Sequence, residues 1–367
     1  MISTLHDQPL LRPADLGDLH LPNRVVMAPT TRARAANAAL APTDLHVAYY
    51  AQRASAGLIV TEGTWVSERA IGFVNVPGVY SEEQVGAWRR VTEVVHALGG
   101  RIVCQLWHSG AVSHPDHLGG DLPTGPSAVN PHETVYTATG PRDTPTPRAM
   151  TVADIDQAVA DFGSAAANAR RAGFDGVEIL GIGSFLIPQF LNPGLNLRTD
   201  SYGGDIAGRG RLLFEIIDAV ADAWSRRCVG VRLSPYWTSS DRFAPDERTL
   251  ADYDVVVAEL NEHPVAYLHL RGADPVDDIA DLAAIARYRK LFAGPLIANN
   301  GFDRATANAA VSTGVADAVS FARHFIANPD LVTRFALDHG LAEGDPATYY
   351  TGSAGGYVDY PASGWPR

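Results

Sequence analysis

Short apolar runs rich in β-branched residues alternate with longer segments of helical period along the whole chain. The strand candidates are Val25–Ala28, Leu58–Thr61, Ile102–Leu106, Val177–Leu180, Val229–Leu233, Tyr267–Leu270, Leu296–Asn299 and Ala318–Phe321. Each is close to continuously apolar, as parallel strands covered on both faces must be. The intervening helices carry start and stop signals. Ser81-Glu-Glu-Gln84 reads as a capping box, and Gly99-Gly100 closes that helix. Thr151-Val-Ala-Asp154 opens a second helix, which runs to Ala172 and stops at Gly173. Further helices are expected at Arg211–Trp224, Leu250–Glu262, Asp277–Phe292, Arg304–Thr313 and Asp330–Asp338.

Eight strands alternating with helices, without a linker, a short repeat or a low-complexity tract, predict an α/β fold: a (β/α)8 TIM barrel forming one domain over residues 1–367. A doubly wound sheet is the runner-up. The stretch from Gly110 to Pro147 is rich in Gly, Pro, His and Thr and too long for an ordinary connection. In a barrel, this excursion after the third strand becomes a lid over the active face.

Composition removes several chemistries. Lys290 is the one lysine among 29 basic residues, and it reads as the flank of a polar helix. P-loop and Schiff-base mechanisms are therefore poor fits. A net charge of −12 with no basic stripe argues against nucleic acid and anionic membranes. Cys104 and Cys228 are too few for an iron–sulfur cluster or structural zinc, and both read as buried free thiols in apolar, strand-like runs. No membrane span stands out, and Met1–Leu16 lacks the form of a signal peptide, so a soluble cytoplasmic protein acting on a small molecule is expected.

Barrel enzymes do their chemistry where strands end. Those positions hold Thr30 and Thr31, then Thr61 and Glu62, then Gln105 with Trp107 and His108 beyond it. Arg232 lies in the fifth strand, Asn299 and Asn300 end the seventh, and Arg323 follows the eighth, just before a helix expected to open at Asn328-Pro329-Asp330. Arg323 suits a phosphate, and Arg232 suits negative charge developing on a bound ring. Either could be a plain salt bridge. With Gln105 and Thr31 they favour a planar, hydrogen-bonding cofactor carrying one phosphate. His108, His114 and His117 could suggest a metal, but without supporting carboxylates or thiols, apart from Asp116, they read as loop histidines. Gly181-Ile-Gly183 lacks the third glycine of a dinucleotide fingerprint.

The segments Asn23-Arg-Val-Val-Met-Ala-Pro-Thr-Thr-Arg32, Gln52-Arg-Ala-Ser-Ala-Gly57, Gln105-Leu-Trp-His108 and Gln189-Phe-Leu191 are distinctive. So are Asn196-x-Arg198-x-Asp200-x-Tyr202-Gly-Gly204, Ile326–Leu331 and Tyr357-x-Asp-Tyr-Pro361. In this order and spacing the chain resembles the old yellow enzyme family of FMN-dependent oxidoreductases over nearly its whole length. The resemblance implies that Ala28, Pro29, Thr30, Thr31 and Gly63 border the flavin, with the Thr31 hydroxyl on a ring carbonyl. It implies that Gln105 holds the pyrimidine edge, that Arg232 offsets the charge of the reduced ring, and that Asn300, Gly301, Ala322 and Arg323 cradle the phosphate. Trp107 and Tyr350 would line the substrate side, and NAD(P)H is the candidate reductant.

The pattern breaks at the fourth strand. Where the family places a His-x-x-His or His-x-x-Asn pair and, two residues later, a tyrosine proton donor, this chain has Leu180, Gly183 and Phe185. Losing a donor aimed at a carbonyl costs on the order of a hundredfold, and Phe185 has no proton to give. The same pair orients nicotinamide, so NAD(P)H use is left open. The small residues suggest a larger apolar pocket. Substitute proton donors are Tyr350 first, then Tyr236, Ser184, a lid histidine or Tyr136. Three readings follow: hydride transfer to a conjugated, bulky or cyclic metabolite; flavin-dependent isomerisation, dehydrogenation or oxygen-using tailoring in biosynthesis; and flavin binding without turnover.

Overall fold

The computed structural model describes residues 8–275 and 280–363. Eight parallel strands close on themselves: β1 (Val25–Met27), β2 (Leu58–Val60), β3 (Ile102–Trp107), β4 (Gly176–Gly181), β5 (Val229–Leu233), β6 (Tyr267–Arg271), β7 (Leu296–Asn299) and β8 (Ala318–Phe321). Each pairs with the next, and β8 returns to β1 through Ser320 opposite Val26. Closure excludes the doubly wound sheet. All eight expected strands are present to within about two residues, because each is apolar on both faces and flanked by helices.

Alternation along the strands separates two interiors. Val26, Leu58, Val60, Val103, Tyr267, Ile297 and Ala318 form one apolar cluster inside the barrel. An antiparallel hairpin, Ala14–Leu16 with Leu19–Leu21, inserts Leu16, Leu19 and Leu21 into it and plugs the N-terminal end. The alternate residues Val25, Met27, Ile59, Ile102 and Cys104 join the outer core beneath the helices. With the far end plugged by leucines, the open mouth lies where the strands finish.

Caps set the helix limits. The Ser81 hydroxyl accepts from the Gln84 amide at the start of Glu82–Ala97, and Thr151 accepts from Asp154 at the start of Val152–Arg171. The helix expected from Arg211 begins at Ile206 instead, because Asp205 caps it by accepting from Gly208 N. The one expected over Asp277–Phe292 is seen at Leu282–Arg289, capped by Asp281, with Lys290 at its end; Asp277 lies outside the described residues. The last helix, expected from Asp330, spans Leu331–Leu337. Cys228, read as part of a strand, sits half-buried in a single turn before β5. Burial pushes the Cys104 thiol up to about 12, so it stays protonated.

Within the excursion 110–147, Thr134–Thr137 pairs antiparallel with Gly140–Asp143, and Thr124–Gly125 pairs with Arg148–Ala149. Among the described residues no helix is long and apolar enough to cross a membrane.

Two elements that the hydrophobic pattern did not signal complete the ring, the helices Asp44–Ala51 and Arg323–Ala327. Arg53, fully buried, ties them together. It donates to the carbonyls of Tyr49, Phe325 and Ile326 at 2.8 to 2.9 Å and lies over the Tyr49 ring. Arg53→Met leaves three buried carbonyls unpaired, and we expect it to destabilise the fold by about 3 kcal/mol, read as a lower urea midpoint with an unchanged slope.

Candidate active site

Because all eight strands run the same way, the ends of β1, β3, β5, β7 and β8 open on one face. Ala28, Pro29, Thr30, Thr31, Gln105, Arg232, Asn300, Gly301, Ala322 and Arg323 are brought to that mouth from positions up to 295 residues apart.

Its floor is polar and connected. The Gln105 side-chain amide donates to Glu178 Oε1 at 2.7 Å, and His269 Nδ1 meets Glu178 Oε2 at 2.8 Å. His269 Nε2 lies 2.7 Å from Ser320 Oγ. Arg232 Nη2 donates to Asn299 Oδ1 at 3.0 Å, and Asn299 donates on to the Ser320 carbonyl at 3.2 Å. Burial pushes Glu178 up, but His269, Arg232 and the Gln105 bond outweigh it, and its pKa is lowered on balance. Burial lowers His269, so the ring is neutral, with Nδ1–H donating to Glu178 and Nε2 accepting from Ser320. Burial also brings Arg232 down to about 10, against the pull of Glu178; it remains charged at neutral pH. Its Nε–H is buried and has no partner among the described residues. The floor thus holds one carboxylate, one guanidinium and four neutral side chains.

Glycine geometry shapes the rim. Asn300 and Gly301 turn at φ +92° and +76°, and a β-carbon at Gly301 would lie 2.8 Å from Pro275 Cβ. The Asn300 amide holds this turn by donating to the Ala273 carbonyl at 2.8 Å. Arg323 does not stand in a loop ahead of a helix at Asn328. It is the first residue of the short helix Arg323–Ala327, exposed, with no hydrogen bond or ion pair among the described residues.

The apolar wall is stacked. Trp107 lies on Trp65 with centroids 4.2 Å apart, and Phe185 meets it edge-on at 4.7 Å. A β-carbon on Gly63 would fall 2.5 Å from the Trp107 ring, so Gly63 permits this packing. Leu180, near the end of β4, is buried. Gly183 adopts φ +75°, and a β-carbon there would lie 2.7 Å from Phe185 Cε2. The room expected from losing an imidazole at 183 is therefore filled by Phe185 on this side.

The proton-donor candidates divide. Tyr350, 54% exposed, meets Phe73, which also contacts Tyr136 of the lid hairpin. Tyr236 is half-buried and packs edge-on to Tyr288, away from that group. Ser184 is buried, its carbonyl accepting from Gln189. Burial brings His108 down to about 4, with Nδ1 accepting from Gly110 N. His114 accepts from Asp116 N, and His117 meets the Tyr136 carbonyl. Among the described residues no three His, Cys, Asp or Glu side chains are placed to hold a metal.

The sequence profile of the NADH:flavin oxidoreductase / NADH oxidase family matches residues 9–342. The chain belongs to this family. It is 39% identical over 365 residues to 12-oxophytodienoate reductase 1 of Oryza sativa subsp. japonica, covering 96% of this chain and 93% of that one. It is 38% identical to the flavin oxidoreductase hxnT of Emericella nidulans, covering 96% and 97%. Morphinone reductase in complex with tetrahydroNAD superposes with a TM-score of 0.89 at 42% identity, over 96% of this chain and 97% of that one. The old yellow enzyme homologue from Zymomonas mobilis superposes at 0.90 with 36% identity, over 96% and 99%. The chain is thus an FMN-dependent oxidoreductase of the old yellow enzyme type on a (β/α)8 barrel.

Several groups of this old yellow enzyme relative carried no sequence signal as site residues. Glu178 and His269 sit inside apolar strands, and only the period-two alternation marks them as inward. Arg32 and Arg34, just past β1, donate to carbonyls of Tyr349, Gly356 and Thr348 and so hold the C-terminal segment that carries Tyr350. Glu62 lies beneath them, accepting from the amides of Arg32 at 3.1 Å and Ala33 at 3.4 Å. Burial pushes Glu62 up to about 7 against those bonds, and brings its neighbour His46 down to about 3, with Arg34 adding to that shift. His46 Nε2 and Glu62 Oε1 are 3.5 Å apart, and with the imidazole neutral this is a contact, not an ion pair.

A carboxyl whose pKa is raised on folding stabilises the fold fully below its unfolded value, and the contribution disappears as pH climbs through the folded value. Between pH 4.5 and about 7, the wild-type protein should lose about 3 kcal/mol that Glu62→Gln does not lose. Urea denaturation of both proteins at pH 5 and pH 8 checks this; parallel pH profiles would contradict the assignment.

Proposed function

We propose that this chain moves hydride between bound FMN and a conjugated, bulky or cyclic carbonyl metabolite, with NAD(P)H as reductant, and that the carbonyl is not anchored by the loop after β4. The observation that carries the reading is the pairing of an intact polar floor with an apolar wall of Trp107, Leu180 and Phe185. Relatives named as reductases of 12-oxophytodienoate and of morphinone support reduction as the direction.

The donor set suits FMN. Ala28, Pro29, Thr30, Thr31 and Gly63 would border the ring, with the Thr31 hydroxyl on a ring carbonyl and Gln105 at the pyrimidine edge. The unpartnered Nε–H of Arg232 fits an acceptor arriving from outside the protein, and its positive charge would stabilise the electron-rich ring. The glycine turn at Asn300-Gly301, with Ala322 and the partnerless Arg323, suits a terminal phosphate. Bound FMN supplies the hydride chemistry. The protein residues do the rest: Gln105 is held in place by Glu178, Trp107 and Phe185 exclude water beside the reacting face, and Tyr350 holds the proton at its phenolic oxygen. An exposed tyrosine re-protonates from solvent without a relay, which suits it to that role better than buried His108.

Polar anchoring moved away from β4 also fits isomerisation or oxygen-dependent tailoring, and one experiment separates these readings from reduction. We expect anaerobic NADH or NADPH to bleach the flavin band of the loaded protein, and a polycyclic enone to restore the band faster than cyclohexenone does. Leu180→His combined with Phe185→Tyr should raise cyclohexenone turnover by about tenfold or more. Gly183 is left unchanged in this variant, since any side chain there displaces residue 185. Failure of both nicotinamides to bleach the flavin overturns the reductase reading. An inert double variant overturns the account of the wall.

A further inference from the structure

Glu178 never reaches the mouth of the barrel, yet it decides what the mouth presents. It is fully buried in β4, with Gln105 of β3 opposite it in register. A carboxylate offers only acceptors, so Gln105 has to point its amide nitrogen at Glu178 Oε1. The Gln105 backbone is pinned as well, its N–H donating to the Thr61 hydroxyl at 3.0 Å. With the amide nitrogen committed inward, the carbonyl oxygen is left over. No side chain or backbone group among the described residues donates to it, and it is not one of the buried atoms sealed off without a partner. The 2% of Gln105 that stays exposed therefore includes this acceptor. An acceptor so fixed is complementary to an imide N–H.

The same carboxylate sets the charge of the floor. Attraction between Glu178 and Arg232 of β5 acts on both, pulling the carboxyl down and holding the guanidinium up against its burial. The other neighbours are neutral. They are His269, Ser320, Asn299 and the Tyr267 phenol, which burial first and then Glu178 push well above its usual range. Arg271, the next cation felt by Arg232, is paired with Asp274. One positive and one negative charge thus cancel beneath the mouth.

We propose, on the reading that FMN occupies this mouth, that Glu178 is a positioning residue for the flavin. Its carboxylate turns the Gln105 carbonyl outward to accept from the ring's imide N–H. Its charge holds the bound flavin at a lower reduction potential than Arg232 alone would set. Two electrons and one proton leave the ring with one negative charge, which Arg232 favours and Glu178 opposes.

Glu178→Gln removes the charge and can keep the bonds. The new amide would accept from Gln105 and donate to His269 Nδ1, and the imidazole would change tautomer and donate to Ser320. Anaerobic dye-equilibration titration of the FMN-loaded proteins measures the consequence. Glu178→Gln should shift the flavin equilibrium toward the reduced form by about tenfold or more, a rise of about 30 mV for a two-electron couple. Glu178→Asp, which keeps the charge, and Ser320→Ala, which cuts the bond chain without touching charge, should each stay within about twofold of wild type. A second measurement needs no variant: wild-type apoprotein should bind FMN at least about tenfold tighter than N3-methyl-FMN, which has no imide proton. Equal potentials in wild type and Glu178→Gln overturn the proposal, as does a shift of the same size in Ser320→Ala. Equal affinity for the two flavins overturns the orientation assigned to Gln105. Apoprotein that takes up no FMN overturns the cofactor reading together with this role, whereas FMN bound at unchanged potential overturns the role of Glu178 alone.

Discussion

Glu178 governs the mouth of this barrel. A carboxylate enclosed by eight strands is tolerable only if both oxygens are bonded and a positive charge stands near, and meeting those demands fixes the neighbours. One oxygen takes the Gln105 amide and the other the His269 ring. Arg232 supplies the countercharge and spends one nitrogen on Asn299, and Ser320 completes the circuit through His269. Six strands are thereby joined across the interior as well as along their edges. A floor so connected resists rearrangement, because moving any one member leaves another buried group unpaired. That rigidity suits a face that must present hydrogen bonds to a flat ring without adjusting to it.

The barrel was legible in the sequence because each strand is short, β-branched and apolar on both sides, and because helix starts carry strong local chemistry. Ser81 with Gln84 and Thr151 with Asp154 could be read directly. Where the reading slipped, a competing local signal was present. Asp205 begins its helix five residues ahead of Arg211, in a stretch whose glycines hide the period. The segment Arg323–Ala327 is too short to show a period at all, so the sequence pattern leaves Arg323 between the eighth strand and a later helix. Helix Asp44–Ala51 carries almost no one-sided pattern, since Tyr49 and Tyr50 are both fully buried and Arg53 follows close behind.

Candidate site residues are readable in the sequence where polar groups stand at or near strand ends, as with Gln105, Arg232 and Asn299. Glu178 is not, because one carboxylate in an apolar run gains its meaning only from the register that sets it against Gln105. Gly183 illustrates a different limit. Its identity could be read, but its effect depends on φ and on where the Phe185 ring falls. A glycine that seemed to open the substrate side instead lets the neighbouring aromatic close over it.

Arg32, Arg34 and Arg53 share a habit: each is buried and bonds almost wholly to backbone carbonyls. Two of them grip the chain near its C-terminus against the loop after β1, while Tyr357 stacks on Tyr49 at 4.1 Å. A carbonyl is the same on every residue, so this clasp reads the path of the tail and ignores most of its lettering. Tyr350 rides on that tail beside the barrel mouth. The fold therefore keeps one stretch of its entrance open to change: the side chains there can be rewritten through evolution while the scaffold that delivers them stays put.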